Sequence, residues 1–317
     1  MNQKMKRITA VCLLCVAAVP QTTAQTQTFQ AELLYQAEAV TGEGSIWHPE
    51  RKSLFWVDIE GQTLYEYLPQ AKECRLWKFD RMVTTVVPET KETVVIALQN
   101  EIIRLNVEDG SRSSVALIDD VGGKLRCNDG KCDPDGRLWI GTMTMSAPRG
   151  SAGLYTVDTD GNVTARLDGI TTSNGLVWSD DKKYMYYNDT PTGEVARYRY
   201  DSETGNITYD GVAVTLAQGN GAPDGMTKDA DGNLWVAQWG GYGVYCYNPH
   251  SGELLAKVEV PAPNVASCAF GGENLDILYI TTARAWLSPE KLAEYPLSGS
   301  LFQCKPGMKG VPADTFK

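Results

Sequence analysis

Short apolar runs rich in β-formers recur along the chain: Leu54-Phe55-Trp56-Val57, Val94-Val95-Ile96-Ala97, Leu138-Trp139-Ile140, Tyr184-Met185-Tyr186-Tyr187, Leu234-Trp235-Val236 and Leu278-Tyr279-Ile280. With Trp56, Ile96, Trp139, Tyr186, Trp235 and Tyr279 as phase markers, the spacings are 40, 43, 47, 49 and 44 residues. Turn signals flank them, among them Asp133-Pro134-Asp135-Gly136, Asp229-Ala230-Asp231-Gly232 and His250-Ser251-Gly252. Asp and Gly there read as hairpin chemistry, because tight turns need positive φ angles. No long helical periodicity separates the runs. Each unit therefore reads as four short strands, and a four-stranded unit repeating every 40–50 residues predicts an all-β, six-bladed β-propeller. No linker divides residues 25–317, which read as a single domain.

Counting back from the markers exposes a second pattern. Glu43 lies 13 residues before Trp56, Asn128 lies 11 before Trp139, Asn174 lies 12 before Tyr186 and Asp224 lies 11 before Trp235. Each is followed by glycine within two residues. The same count reaches Thr84-Thr85 in the second unit and Ser267-Cys268 in the sixth. The first strand of a propeller blade lines the central channel, so side chains at equal phase share one ring around its axis. Two carboxylates and two amides form a hard, oxygen-only set suited to Ca²⁺, Mg²⁺ or Mn²⁺. Glu43 and Asp224 brought together without a cation would be costly like-charge burial. Arg126, two residues before Asn128, points to the same strand face and could bind an electron-rich substrate oxygen. Trp239 and Tyr242 read as packing between units, and His48 and His250 as structural.

Composition narrows the function classes. Acidic residues (39) outnumber basic ones (29), which disfavours binding to nucleic acid. Two histidines leave no His-rich zinc site, and no Gly-x-Ser-x-Gly elbow, phosphate loop or dinucleotide fingerprint occurs. At the N-terminus, Lys4, Lys6 and Arg7 precede an apolar run from Ile8 to Val19 and small or polar residues to Ala24. This is the order of a secretory signal peptide over residues 1–24. Twelve helical residues rise about 18 Å, too short for a bilayer core of about 30 Å, so no membrane association is expected after cleavage. The protein is expected to be exported, to a periplasm or beyond. Cys74, Cys127, Cys132, Cys246, Cys268 and Cys304 would remain. A chain of this length builds its own core, and the six read as free thiols rather than staples.

Residues from about 40 to 317 resemble the regucalcin/gluconolactonase (senescence marker protein) family. The matching stretches are Gly42-Glu43-Gly44 with Trp47, Arg126-Cys127-Asn128-Asp129-Gly130 with Gly141-Thr142-Met143, Ser173-Asn174-Gly175-Leu176, Pro223-Asp224-Gly225-Met226 and Ser267-Cys268-Ala269-Phe270-Gly271-Gly272. The resemblance implies one divalent cation, with calcium foremost and zinc, magnesium or manganese as alternatives. It implies that Glu43, Asn174 and Asp224 ligate it, that Arg126 and Asn128 contact substrate, and that Asp224 is the acid/base residue. The implied reaction is hydrolysis of a sugar lactone to its aldonic acid. The rival readings are another ester or phosphotriester hydrolase on the same site, and a non-catalytic calcium- or sugar-acid-binding propeller. The chain departs from the family pattern at Ser146, where an acidic substrate-binding residue is usual, and at Ser45, where proline is usual.

Overall fold

The computed structural model describes residues 26–317; the proposed leader lies outside them. Every predicted apolar run lies on the second strand of its unit, paired on one side with the channel-lining first strand and on the other with the third. In the first unit Gly42–His48, Ser53–Asp58, Thr63–Leu68 and Glu73–Lys78 pair in order, and burial declines to the largely exposed Glu73–Lys78. Analogous four-stranded sheets begin at Val83–Pro88, Leu125–Cys132 and Ser173–Trp178.

The expectation of six separate sheets needs correction. Four stand alone, and the remaining strands form one nine-stranded sheet. Its two halves begin at Ala222–Lys228 and Asn264–Gly271 and are joined by a single pairing, Trp239 to Asn264. The N-terminal segment enlarges this sheet. Gln27–Gln30 runs parallel to Leu254–Glu259, and Glu32–Tyr35 pairs with Leu301–Cys304. Thus residues before the first repeat complete the last one and cover edges that would otherwise be open to foreign strands. Among the described residues the only α-helix is Pro289–Glu294, capped by the Ser288 side chain.

The first strands of the six units neighbour one another in sequence order, and the Asn264–Gly271 strand returns to Gly42–His48, closing a ring around a channel. Between successive units the phase markers provide the packing. Trp139 meets Trp178 of the next sheet edge-on, Trp235 meets Phe270, and Tyr279 stacks on Trp47 to close the circle. All six markers are buried. Burial of each such large side chain is worth on the order of 2–3 kcal/mol, which explains the aromatic periodicity.

Candidate active site in the central channel

Every strand that lines the channel breaks register with its partner at the same phase. The shifts fall between Glu43 and Ile46, Val83 and Thr85, Cys127 and Gly130, Asn174 and Leu176, Pro223 and Met226, and Val265 and Ser267. A β-bulge bends its strand and re-aims a side chain. The glycines after the ring residues therefore serve bulges, not the hairpin turns that Asn-Gly and Asp-Gly ordinarily signal. Gly175 has φ +26°, and a side chain at Gly130 would meet the Trp139 carbonyl oxygen at 2.5 Å.

The predicted residues converge. Arg126 Nη1 donates to Asn128 Oδ1 (2.6 Å), and Asn128 Nδ2 donates to Asn174 Oδ1 (3.0 Å) and the Ser173 carbonyl (2.7 Å). Asn174 Nδ2 donates to Thr190 Oγ1 (2.8 Å), which donates to the carbonyl of Pro223, beside Asp224 (2.8 Å). One hydrogen-bonded chain thus links three inner strands. At the two ring positions without carboxylate or amide, the oxygens are occupied locally: Thr85 Oγ1 donates to the Asn128 carbonyl (2.7 Å), and Ser267 Oγ accepts from the Ser45 amide (3.1 Å). Proline at position 45 could not make the latter bond.

Glu43 and Asp224 are each about 5% exposed. Glu43 Oε2 accepts the Gly44 amide, but its Oε1 is buried without a partner. Burial pushes the Glu43 carboxyl well above the carboxylate range, and the nearby Asp224 and Asp129 push it further. Asp224 is raised by burial and then by Asp129. Asp129, missed as a site residue although it follows Asn128 directly, is also buried, and burial raises its pKa. Thr190 was missed because it lies on a 3-10 turn, 16 residues along the chain from the ring residue Asn174 that it contacts.

Arg126 is buried and, among the described residues, has no carboxylate within 4 Å. Burial lowers its pKa, opposed by Glu60, Glu43 and Asp224. A surface ion pair is thus not its role. An unpartnered buried carboxylate oxygen, converging acidic side chains and amide oxygens are donors a divalent cation would satisfy. Among the described residues no three His, Cys, Asp or Glu side chains are grouped to hold a metal, so the fit depends on Asn174 supplementing the two carboxylates.

The remaining expectations sort cleanly. His48 Nε2 bonds the Thr90 carbonyl (2.9 Å), and the His250 amide caps an exposed turn on Asn248. The six cysteines among the described residues are free. Trp239 bridges two units, but at the rim, where it meets the exposed Trp286; Tyr242 meets Tyr295. Ser146 is exposed and brings no charge to the channel.

An all-β propeller whose channel gathers carboxylates, amides and an unpaired arginine is the class of protein defined here. The chain belongs to the SMP-30/gluconolactonase/LRE-like family, which matches residues 41–284. It is 38% identical over 244 residues to pentonolactonase XacC of Haloferax volcanii, covering 76% of this chain and 81% of that one. It is 34% identical to regucalcin of Danio rerio, covering 90% and 98%. Among solved structures, the calcium-binding protein regucalcin of Agrobacterium tumefaciens superposes with a TM-score of 0.87 at 26% identity, covering 93% and 99%.

Proposed function

We propose that this protein is an exported, divalent-metal-dependent sugar lactonase, and that its nine-stranded sheet counts as two blades of a six-bladed propeller. The observation that carries the activity is the buried, partnerless Glu43 Oε1 beside Asp224, facing an arginine without a counter-ion. Glu43, Asn174 and Asp224 would hold the cation, with calcium the first candidate, as the regucalcin relatives suggest. When bound, a divalent cation supplies Lewis-acid polarisation of the lactone carbonyl. Arg126 and Asn128 contact oxygens of the sugar ring. Arg126 donates, with its guanidinium oriented by the bond to Asn128 Oδ1. Asn128, whose two amide protons are committed to Ser173 and Asn174, accepts a substrate hydroxyl at Oδ1. Asp224 accepts a proton from the attacking water and returns it to the ring oxygen as the acyl carbon–oxygen bond breaks. One water is consumed and one aldonic acid formed. Export, carried by the apolar leader, would place the reaction in a periplasm or outside the cell.

The test is proton release by the purified protein on a panel of aldonolactones, after chelation and then with Ca²⁺, Mg²⁺, Mn²⁺ or Zn²⁺ restored. Metal-dependent turnover of a sugar lactone is expected. Silence across the panel with metal bound would move the assignment to another ester or to a binding role.

A further inference from the structure

The same inner strands that present the site residues also build a second cavity, farther along the channel. Three residues past Asn128 lies Lys131; two to four past Glu43 lie Ser45, Ile46 and Trp47; and three and four past Asp224 lie Thr227 and Lys228. These side chains, with Val177, Trp178 and Phe270, enclose about 250 Å3, closed on its other side by residues 311–314. The closing segment is held in place. Gly310 bridges to Asp229 and its amide donates to the Leu275 carbonyl (2.8 Å), while Phe316 is buried in the core with its amide on the Pro88 carbonyl (2.8 Å).

The charges around this cavity are unequally matched. Lys228 pairs with Asp180, and Lys182 pairs with Asp135 (3.1 Å). Lys131 has one hydrogen bond, to the Met226 carbonyl (2.7 Å), and among the described residues no carboxylate lies within 4 Å of its Nζ. It also borders a void of about 10 Å3 shared with Asp129 and Ser267, so it forms the partition between the carboxylate cluster and the cavity. Burial lowers its pKa, with Asp129 the largest opposing influence. An ammonium with a single neutral acceptor and an adjacent empty space is an anion site waiting for its ligand. The surrounding indole, phenyl and aliphatic walls would cover a compact apolar body. Asp314, on the closing segment and exposed, is the acidic group that opposes an anion there.

We propose that this cavity is a second binding site, distinct from the candidate active site, for a small organic carboxylate with a flat or compact apolar body, whose acid group is held by Lys131. Burial of its apolar part against Trp47, Trp178 and Phe270 supplies affinity, and Lys131 supplies the preference for an acid over its amide.

The probe is benzoate, with benzamide as the uncharged control, titrated calorimetrically into the full chain. Benzoate is expected to bind and benzamide at least about tenfold more weakly, the difference made by one charge-assisted hydrogen bond. Lys131→Met should weaken benzoate by about tenfold or more, Asp314→Asn should tighten it, and Val311→Trp, which fills the cavity, should abolish it. Unchanged melting temperatures would show that the variants are folded. Asp224→Asn should leave benzoate binding intact. The proposal is overturned if wild-type protein fails to bind benzoate, if benzamide binds equally well, or if folded Lys131→Met binds as wild type. Loss of binding in Asp224→Asn would also overturn it, because that would place benzoate in the candidate active site. None of these outcomes depends on lactone turnover.

Discussion

Two sets of buried acids occupy this propeller, at opposite ends of its inner strands, and they are treated in opposite ways. Asp133 and Asp229 lie just past the inner strands that carry Asn128 and Asp224, each six residues before a buried tryptophan. Asp133 Oδ1 accepts two backbone amides, and its Oδ2 accepts Arg137 Nε (2.7 Å), Trp139 Nε1 (2.8 Å) and Tyr200 OH (2.8 Å). Asp229 repeats the pattern without the cation: two backbone amides, Asn233 Nδ2 and Trp235 Nε1 (2.9 Å). The channel acids Glu43 and Asp224 are equally buried, yet an oxygen of Glu43 finds nothing to accept from. A saturated carboxylate holds a fold together, whereas an unsaturated one among other acids raises the energy of the empty fold. The contrast separates structural from functional acids where residue type and burial do not.

The sharpest way to break this contrast is Asp224→Asn. It removes the proposed proton carrier and one ligand while keeping the side-chain volume. Lactone turnover should fall by a factor on the order of 10²–10⁴, the usual worth of a positioned acid/base, and more if cation binding is lost as well. The chelated protein should melt no lower than wild type, since an uncompensated buried acid has gone. Near-wild-type turnover, measured by proton release, would remove Asp224 from its role.

Asp133→Ala should show the reverse signature. It removes the acceptor of Trp139 and the nearest carboxylate of Arg137 and Tyr200 at once. Breaking a buried ion pair from one side costs about 3–5 kcal/mol, toward the lower end here because Arg137 keeps Asp135 (3.6 Å) and the Ser202 and Glu203 carbonyls. Chemical denaturation should show that loss, with activity per folded molecule retained. Asp229→Ala refines the comparison, because its partners are all neutral. About 1–3 kcal/mol is expected, by the same measurement. Equal losses at the two sites would mean that the Arg137 pair contributes nothing beyond the shared turn.

These two clusters also show where sequence reading stops. Asp133-Pro134-Asp135-Gly136 and Asp229-Ala230-Asp231-Gly232 are turns as read, with Gly136 at φ +94° and Gly232 at φ +81°. Their tethers to Trp139 and Trp235 were not legible, since a turn signal carries no information on where its side-chain oxygens point. The ring of Glu43, Asn128, Asn174 and Asp224 was legible because a repeat fixes phase, and equal phase means equal height in the channel. The bulges that aim those side chains were hidden, because Asn-Gly and Asp-Gly serve hairpins and bulges alike. Arg126 was found by strand alternation, but its lack of a counter-ion is a three-dimensional fact. Thr190 follows no repeat position, and Lys131, though at a fixed phase three residues past Asn128, belongs to no motif; both could be seen only once strands were side by side. The all-β propeller was readable and the division into sheets was not, since the fusion of the last strands into one sheet rests on a single bridge, Trp239 to Asn264.

The smallest expected effect is on stability against pH, and it isolates the channel acids from the rest of the molecule. The Glu43 carboxyl is held well above its ordinary value by burial and by Asp224 and Asp129. Below the ordinary carboxylate range both folded and unfolded chains hold the proton, and Glu43 carries no penalty. As pH rises through that range the unfolded chain releases its proton first, so it binds fewer protons than the folded chain and stability falls with pH. The fall ends once the folded-state carboxyl has ionised as well. Glu43→Gln cannot ionise and should lack this component. In chelator, its melting temperature should therefore gain on wild type from mildly acid to neutral pH, by about 2–4 °C for each kcal/mol recovered. Calcium should raise the wild-type melting temperature at neutral pH and leave Glu43→Gln nearly unmoved, since ligand binding stabilises only the form that holds it. Parallel melting curves for the two proteins across that pH range would show that Glu43 is satisfied by something already in the fold, and the contrast with Asp133 would be gone.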